Sequence, residues 1–253
     1  MDVLHRAHGY LLTHARLLDR LRFEALFAGG PRDRVLDTLR CYQNPDGGFG
    51  HALEPDLRGA ASQPEPVEIA FWILDELDAF ADPMVRSACD YLVSVTTPPT
   101  AACPSASRPS ARRRARPGGR PRTTRPATSS PPPRSLGLLH KHGIDHPWRG
   151  PATDFCWRSI SAVDKTTPYE ARAIVTFLDL VDDEERARSE FQRLKDAILA
   201  TVTFDPEASG DAHFPLDFAP PALCGSPPVH GGRAGPPPGR PAGGPVGGRR
   251  LER

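Results

Sequence analysis

Long apolar runs, paired cysteines and a signal-peptide pattern are all missing from this chain of 253 residues. No stretch of about 18 consecutive apolar residues occurs, so no segment is predicted to span a bilayer. His5, Arg6 and His8 interrupt the apolar pattern near the amino terminus, so no signal peptide is expected. The five cysteines are scattered and form no Cys-x-x-Cys pair, as is typical of reduced thiols. These absences predict a cytoplasmic protein.

Acidic residues are almost absent from two segments of the chain. Residues 97–135 contain nine arginines but no acidic, aromatic or large aliphatic residue, and residues 220–253 contain five arginines and one acid. Together the two segments carry a net charge of +13, which leaves −12 for the rest of the chain. Their composition cannot bury a core, so we predict a disordered insertion and a disordered tail. The regions 1–96 and 136–219 are then the two halves of the folded part.

Both basic segments begin abruptly inside well-patterned sequence. They consist mainly of Arg, Pro, Ala, Gly, Ser and Thr, which GC-rich codons encode. A GC-rich gene read out of frame produces this composition, and our hypothesis is that both segments are frameshifted. The alternative is a natural disordered insertion and tail. Sequencing the coding DNA distinguishes them, because the shifted frames should contain apolar helical patterns under the first hypothesis only.

Elsewhere, apolar residues recur at steps of three and four residues, which is the pattern of amphipathic helices. Gly29 and Gly30 end the first such stretch and Pro31 begins the next, in keeping with the usual helix stop and start residues. No segment shows the alternation expected of a strand. The chain is therefore predicted to be all-α. The predicted helices cover residues 3–27, 31–43, 66–80, 82–95, 135–142, 151–163, 168–181 and 183–203.

A weak internal repeat relates two of the predicted helices. Pro66-Val-Glu68 opens one of them and Pro168-Tyr-Glu170 opens the other. Each continues into an apolar stretch that ends in Leu-Asp, and a charged helix follows at once. Because a single helical hairpin cannot bury its apolar face alone, the repeat predicts a stacked or ring-closed array of hairpins.

The segment Gln43–Gly50, which reads Gln-Asn-Pro-Asp-Gly-Gly-Phe-Gly, has the composition of a tight turn. Pro45 presets the backbone of the first central residue, and Gly47 permits the positive φ that other residues resist. Gly48 lets the backbone pass close to a neighbour, and Phe49 offers a large apolar anchor. We therefore predict a turn that packs against the helices around it.

This turn segment resembles the repeat of protein prenyltransferase β subunits and of squalene-hopene-type cyclases. The resemblance covers residues 31–80, with a fainter echo at 165–203. It implies an α/α-toroid, made incomplete here by the two basic segments. In that family the Gln and the glycine turn tie helices together and take no part in catalysis. The resemblance thus implies a structural role for Gln43, Asp46, Gly47, Gly48, Phe49 and Gly50.

Prenyltransferase β subunits bind zinc through an Asp-x-Cys pair and a distant His, and Asp154-Phe-Cys156 is the one candidate pair here. Carboxylate, thiolate and imidazole make an open zinc site, and we take His213 as the third ligand. In the family the pair follows a Gly-Gly-Phe turn, whereas here it lies on a helix behind the basic segment. The alternative is a core Cys156 with Asp154 as a favourable charge near the helix start. Further candidate third ligands are His140, His142 and His146.

Other chemistries have weaker support. The cyclase acid motif Asp-x-Asp-Asp has only a near counterpart in Asp179-Leu-Val-Asp182-Asp183, at a helix junction where acids commonly cap the next helix. No Walker-type phosphate loop occurs. Nucleic acid is not an expected partner, because the folded part is acidic and no aromatics interleave with the arginines. The three histidines between residues 140 and 146 are expected to be solvated at a helix end.

Two classes of function remain open. In the first, an enzyme-like toroid holds an isoprenoid or other apolar small molecule in its central cavity. In the second, the toroid is a non-catalytic scaffold that binds a ligand or a partner. The missing cyclase motif and the context of the Asp-x-Cys pair favour the second, without a cofactor. A zinc-dependent, prenyltransferase-like enzyme is the alternative. The aromatic residues predicted to line a cavity, if they are not core, are Phe71, Trp72, Trp157 and Tyr169.

Overall fold

A computed structural model of the chain describes residues 3–95, 133–205, 207–208 and 213–218. Within these residues the secondary structure is helical apart from three isolated bridges, which confirms the all-α prediction. No helix in this part of the chain is long and apolar enough to cross a bilayer. The helices are α1 (Val3–His14), α2 (Leu17–Phe27), α3 (Arg32–Arg40), α4 (Pro64–Glu76), α5 (Pro83–Val95), α6 (Pro133–Lys141), α7 (Arg149–Ser161), α8 (Pro168–Leu180), α9 (Glu184–Leu199) and α10 (Pro215–Phe218).

The two basic segments fall almost entirely outside the described residues. The tail predicted at 220–253 lies wholly outside them, and so does the predicted insertion up to residue 132. The exception is the end of the insertion, because α6 begins at Pro133. Arg134 and Ser135 belong to this helix and are buried, at 8% and 1% exposed. The folded second half therefore starts before the boundary that composition predicts.

The predicted first helix is two helices, with a break at Ala15 and Arg16. Arg16 has an extended backbone, with φ −64° and ψ 157°. Its guanidinium donates hydrogen bonds to the carbonyl oxygens of Ala52 and Leu53, at 2.8 and 3.0 Å. Periodicity alone missed the break because apolar residues continue at helical spacing on both sides of it. The consequence is unequal burial, since α2 contributes two residues to the core and α1 contributes none.

Successive helices pack as pairs, namely α2 with α3, α4 with α5, α6 with α7, and α8 with α9. Helix α6 also contacts both α4 and α8. Its approach to α8 depends on Gly137, where a Cβ atom would lie only 3.2 Å from the carbonyl oxygen of Thr176. The three helices α4, α6 and α8 thus lie in sequence across the array. Closure of the pairs into a toroid stays a prediction.

Helices α4 and α8 begin in the same way, with a proline at the first helical position. In α8 this residue is Pro168, preceded by Thr167 in a capping box. In α4 this residue is Pro64, preceded by Gln63. The backbone N–H of Gln63 donates to the carbonyl oxygen of Phe49 at 3.0 Å, which holds Gln63 in an extended conformation, so the helix begins after it. The predicted repeat aligned Pro66 with Pro168, so its register is shifted by two residues.

The observed helix starts put different residues in register. Glu68 is the fifth residue of α4, and Arg172 is the fifth residue of α8. The two side chains are close enough for the charge of each to shift the pKa of the other.

Candidate functional site

The Gln43–Gly50 turn uses its polar side chains to join neighbouring parts of the chain. The Gln43 amide donates to the carbonyl oxygen of Gly47 at 2.9 Å and to that of Met84, in α5, at 3.2 Å. The Asp46 carboxylate accepts from the Gly48 N–H at 3.0 Å and from the Ser62 hydroxyl at 2.7 Å. These bonds connect the end of α3 to the start of α5 and to the segment before α4.

Close backbone contacts explain why glycines occupy this turn. Gly47 has φ +87°, and a Cβ atom there would overlap the carbonyl oxygen of Ser87. A Cβ atom at Gly50 would overlap the carbonyl oxygen of Ala60. Phe49 follows with its side chain fully buried in the core. The turn is thus packed on several sides, and its contacts are those of a structural connection.

The predicted zinc ligands are not brought together. Asp154 and Cys156 lie on α7, where Asp154 is exposed and Cys156 is completely buried. Because the two residues are two positions apart on one helix, their side chains point in different directions, and the spacing alone predicts this. His213 packs against Tyr169 and Phe218 instead, with ring centroids at 4.7 and 6.2 Å. Among the described residues, no group of three His, Cys, Asp or Glu side chains is placed to hold a metal ion.

The acidic residues at the end of α8 have separate structural roles. Asp183 caps α9, since its carboxylate accepts from the backbone N–H of Arg186 at 3.1 Å. Asp182 binds Arg149 through a short ion pair and lies 2.9 Å from His140 Nδ1. Asp179 is exposed. These residues do not form a shared acid site.

The prediction that three histidines between residues 140 and 146 are solvated is wrong. His140 and His146 are buried, at 8% and 6% exposed, and the ring of His142 stacks on Phe80 at 4.3 Å. Each imidazole lies within hydrogen-bonding distance of a carboxylate on a different element, and sequence spacing gives no sign of these distant partners. The pairs are His140–Asp182 at 2.9 Å, His142–Asp75 at 2.6 Å and His146–Asp90 at 3.1 Å.

His140 lies between Asp182 and the hydroxyl of Thr153, which is 2.9 Å from its Nε2 atom. An acid, an imidazole and a hydroxyl in series are the parts of an activated nucleophile. Here, however, the Thr153 hydroxyl donates to the carbonyl oxygen of Arg149 in its own helix, at 2.7 Å. Burial lowers the pKa of His140, and Arg149 lowers it further against the opposing effect of Asp182. The hydrogen-bonded network therefore joins α6, α7 and the segment that follows α8.

The four aromatic residues predicted to line a cavity divide into two pairs. Phe71 and Trp157 are core residues, at 0% and 5% exposed. Trp72 is partly exposed, and Tyr169 is 59% exposed. Trp72 and Tyr169 are therefore the two that a ligand can reach.

Trp72 contacts arginines from two other helices. The guanidinium carbon of Arg134, in α6, lies 4.8 Å from its ring centroid, and that of Arg172, in α8, lies 5.5 Å away. Glu68, one turn before Trp72 in α4, pairs with Arg134 at 3.1 Å. We call these four residues the arginine–tryptophan face. Three helices that contact each other in turn thus supply one aromatic ring, two cations and one carboxylate.

Charge is compensated unevenly within this face. Burial raises the pKa of Glu68, and Arg134 offsets only part of this effect. Burial lowers the pKa of Arg172, and the neighbouring Arg134 lowers it further, against Glu68 and Asp217. Within the described residues, Arg172 donates no hydrogen bond and forms no ion pair, while the buried Nε of Arg134 has no acceptor. The face therefore holds hydrogen-bond donors that the described chain leaves unused.

Sequence reasoning missed both arginines of this face. Composition assigns Arg134 to the basic insertion, and Arg172 lies on a helix that is predicted from its apolar residues. The available signal was the repeat, which in its observed register pairs Glu68 with Arg172. Comparison of the chain with protein-family models, with curated proteins and with solved structures gave no match.

Proposed function

We propose that the chain is a non-catalytic, ligand-binding helical array of the α/α-toroid type, resembling prenyltransferase β subunits and terpenoid cyclases in architecture. Its ligand is an apolar small molecule that binds at the arginine–tryptophan face. A cytoplasmic location accords with Cys41, Cys89 and Cys156, which form no disulfide in the described chain. The proposal is carried by the contacts of the Trp72 ring with Arg134 and Arg172.

Trp72 has the properties of a preorganised binding surface. A partly exposed indole offers a large apolar area, and two cation–π contacts hold its ring in one orientation. Ligand sites combine such apolar surfaces with a few polar groups that fix the ligand's orientation. Tyr169 adds a second exposed aromatic ring, one turn before Arg172 on α8.

The competing function is a zinc-dependent, prenyltransferase-like enzyme. It requires Asp154, Cys156 and His213 to converge on one ion, and Asp154 is exposed on the helix that buries Cys156. The zinc content of the purified protein separates the two functions. Stoichiometric zinc that is lost on Cys156→Ala would support the enzyme and contradict our proposal. Zinc at background level in both proteins is the result that we expect.

Tryptophan fluorescence tests ligand binding directly. Of the three tryptophans, Trp148 and Trp157 are buried at 3% and 5% exposed, so Trp72 is the one that a surface ligand reaches. We expect octan-1-ol, a neutral apolar probe, to change the emission of the protein saturably. The change should be lost in Trp72→Phe.

Two tyrosines of similar exposure provide a matched control. Tyr169, beside the face, is 59% exposed, and Tyr10, on α1, is 64% exposed. Tyr169→Ala should weaken the binding of octan-1-ol several-fold, whereas Tyr10→Ala should leave it unchanged. No saturable emission change, or the same loss in both variants, would contradict a ligand site at this face.

A further inference from the structure

We infer that the ligand of the arginine–tryptophan face is an apolar monocarboxylic acid, whose carboxylate binds Arg172 and whose chain lies against Trp72 and Tyr169. The inference rests on the proposed function and adds the chemical class of the ligand. It is carried by three observations, which concern the donors of Arg172, the number of uncompensated charges and the apolar surface beside them.

The donors of Arg172 are available to an anion. A guanidinium presents five N–H donors in a planar fork that matches a carboxylate in bidentate geometry. Arg172 is partly buried, and among the described residues its guanidinium contacts the ring of Trp72, at 5.5 Å, and no hydrogen-bond acceptor. Because Arg172 is only partly hydrated, an anion that pairs with it replaces few water contacts and gains charge-assisted hydrogen bonds. An oxyanion is the group that satisfies this fork.

The charges around Arg172 favour a monoanion. Arg134 is already compensated by Glu68 at 3.1 Å, so Arg172 is the cation of the face that has no ion pair within the described chain. Asp217 acts on Arg172 through space, but its carboxylate accepts from the backbone N–H of Phe214 at 2.8 Å. Glu65 adds a further negative charge near Glu68. A diphosphate would place excess negative charge beside these acids, whereas a single carboxylate would not.

The surface beside Arg172 suits the apolar part of such an acid. Trp72 lies on one side of the guanidinium, and Tyr169 lies one turn before it on α8. The ring of Tyr169 is held edge-to-face against His213, with centroids 4.7 Å apart. Helix α10, which contacts α8, exposes Leu216 at 85%. Carboxylate recognition and apolar contact thus occur on adjacent parts of one surface.

Four eight-carbon probes test the inference in the full-length protein by calorimetry and tryptophan fluorescence. They are octanoate, octan-1-ol, octyl phosphate and octylammonium. A charge-assisted hydrogen-bonded pair should make octanoate bind about tenfold more tightly than octan-1-ol. Octylammonium should bind more weakly than octan-1-ol. Octyl phosphate, mostly a dianion above neutral pH, should bind no more tightly than octanoate.

Substitution of Arg172 tests whether its guanidinium group causes the preference for octanoate over octan-1-ol. Arg172→Met should weaken octanoate binding more than octan-1-ol binding, so that the two probes bind this variant about equally. Arg172→Lys keeps the charge but loses the bidentate geometry, so it should retain only part of the preference. Arg188→Met is the matched control, because Arg188 is 75% exposed on α9, and it should have no effect. Unchanged circular dichroism and unfolding midpoints in each variant show that folding is preserved.

The outcomes separate this inference from the proposed function. If octanoate binds no better than octan-1-ol, or if Arg172→Met keeps the preference, the monocarboxylate assignment is overturned while an apolar ligand site stands. Tenfold tighter binding of octyl phosphate than of octanoate would replace the carboxylate with a phosphate. If none of the four probes binds, the proposed function itself fails.

Discussion

The Gln43–Gly50 turn and the arginine–tryptophan face both lie beside α4, yet they use polar groups in opposite ways. In the turn, the amide of Gln43 and the carboxylate of Asp46 bind the protein's own backbone and hydroxyl groups. In the face, Arg172 donates no hydrogen bond within the described residues. Polar groups that are satisfied within the protein stabilise the fold, whereas donors left unused are available to a ligand. The motif that is most visible in the sequence is thus the structural one.

The largest effect should come from adding a Cβ atom in the turn. Gly47→Ala is expected to lower the free energy of unfolding by about 3 kcal/mol or more, because it combines a positive φ with overlap onto Ser87. Gly29→Ala is the matched control, since Gly29 has φ +69° but no atom within 4 Å of the place that a Cβ would occupy. It should cost about 1 kcal/mol. Equal losses in urea denaturation would show that the turn is not tightly packed.

A direct contrast between the two regions comes from Gln43→Ala and Arg172→Met. Gln43→Ala should cost about 1–3 kcal/mol, because it removes the two hydrogen bonds that hold the turn to α5. Arg172→Met should lower the free energy of unfolding by about 1 kcal/mol or less, since it loses one cation–π contact but no hydrogen bond. Denaturant unfolding of both variants measures the difference. If Arg172→Met is more destabilising than Gln43→Ala, the face stabilises the fold as the turn does, and the contrast between the two regions is wrong.

The smallest expected effect is a pH dependence that arises from His140, in the helix that supplies Arg134. Burial lowers its pKa in the folded protein, whereas the unfolded chain has an ordinary histidine near pKa 6.5. Above about pH 7.5 both states are neutral, so His140 contributes no pH dependence there. As the pH falls to about 5.5, the unfolded state binds the proton first, and stability decreases by about 1 kcal/mol or less.

Urea unfolding at several pH values within this window measures the contribution of His140. His140→Gln should flatten the decrease in stability, although it also lowers stability at neutral pH through the loss of the contacts with Asp182 and Thr153. His5→Gln is the control, because His5 is exposed on α1, and it should keep the wild-type slope. A wild-type slope in His140→Gln would show that the buried imidazole is not responsible.

Local sequence signals predicted the parts of the site that depend on neighbouring residues. Proline and glycine positions indicated most helix starts and ends, and the Asp183 cap followed from an acid at a helix junction. The same reasoning failed at Arg16 and at the buried histidines, because their partners lie far away along the chain. Arg16 binds carbonyl groups at residues 52 and 53, and His140 binds Asp182. Spacing along one helix carries no information about such partners.

By itself, the sequence determined the all-α class, the approximate helices and the glycine turn, because periodicity, proline and glycine act through local backbone geometry. Only the tertiary structure decided which polar residues meet. Trp72, Arg134 and Arg172 belong to three helices, and they come together because α6 packs between α4 and α8. Arg134, which composition assigns to a disordered segment, thus belongs to the candidate binding site because of long-range packing. The polar groups of the Gln43–Gly50 turn are used within the protein. The unused hydrogen-bond donors of the arginine–tryptophan face are therefore the feature that points to a ligand.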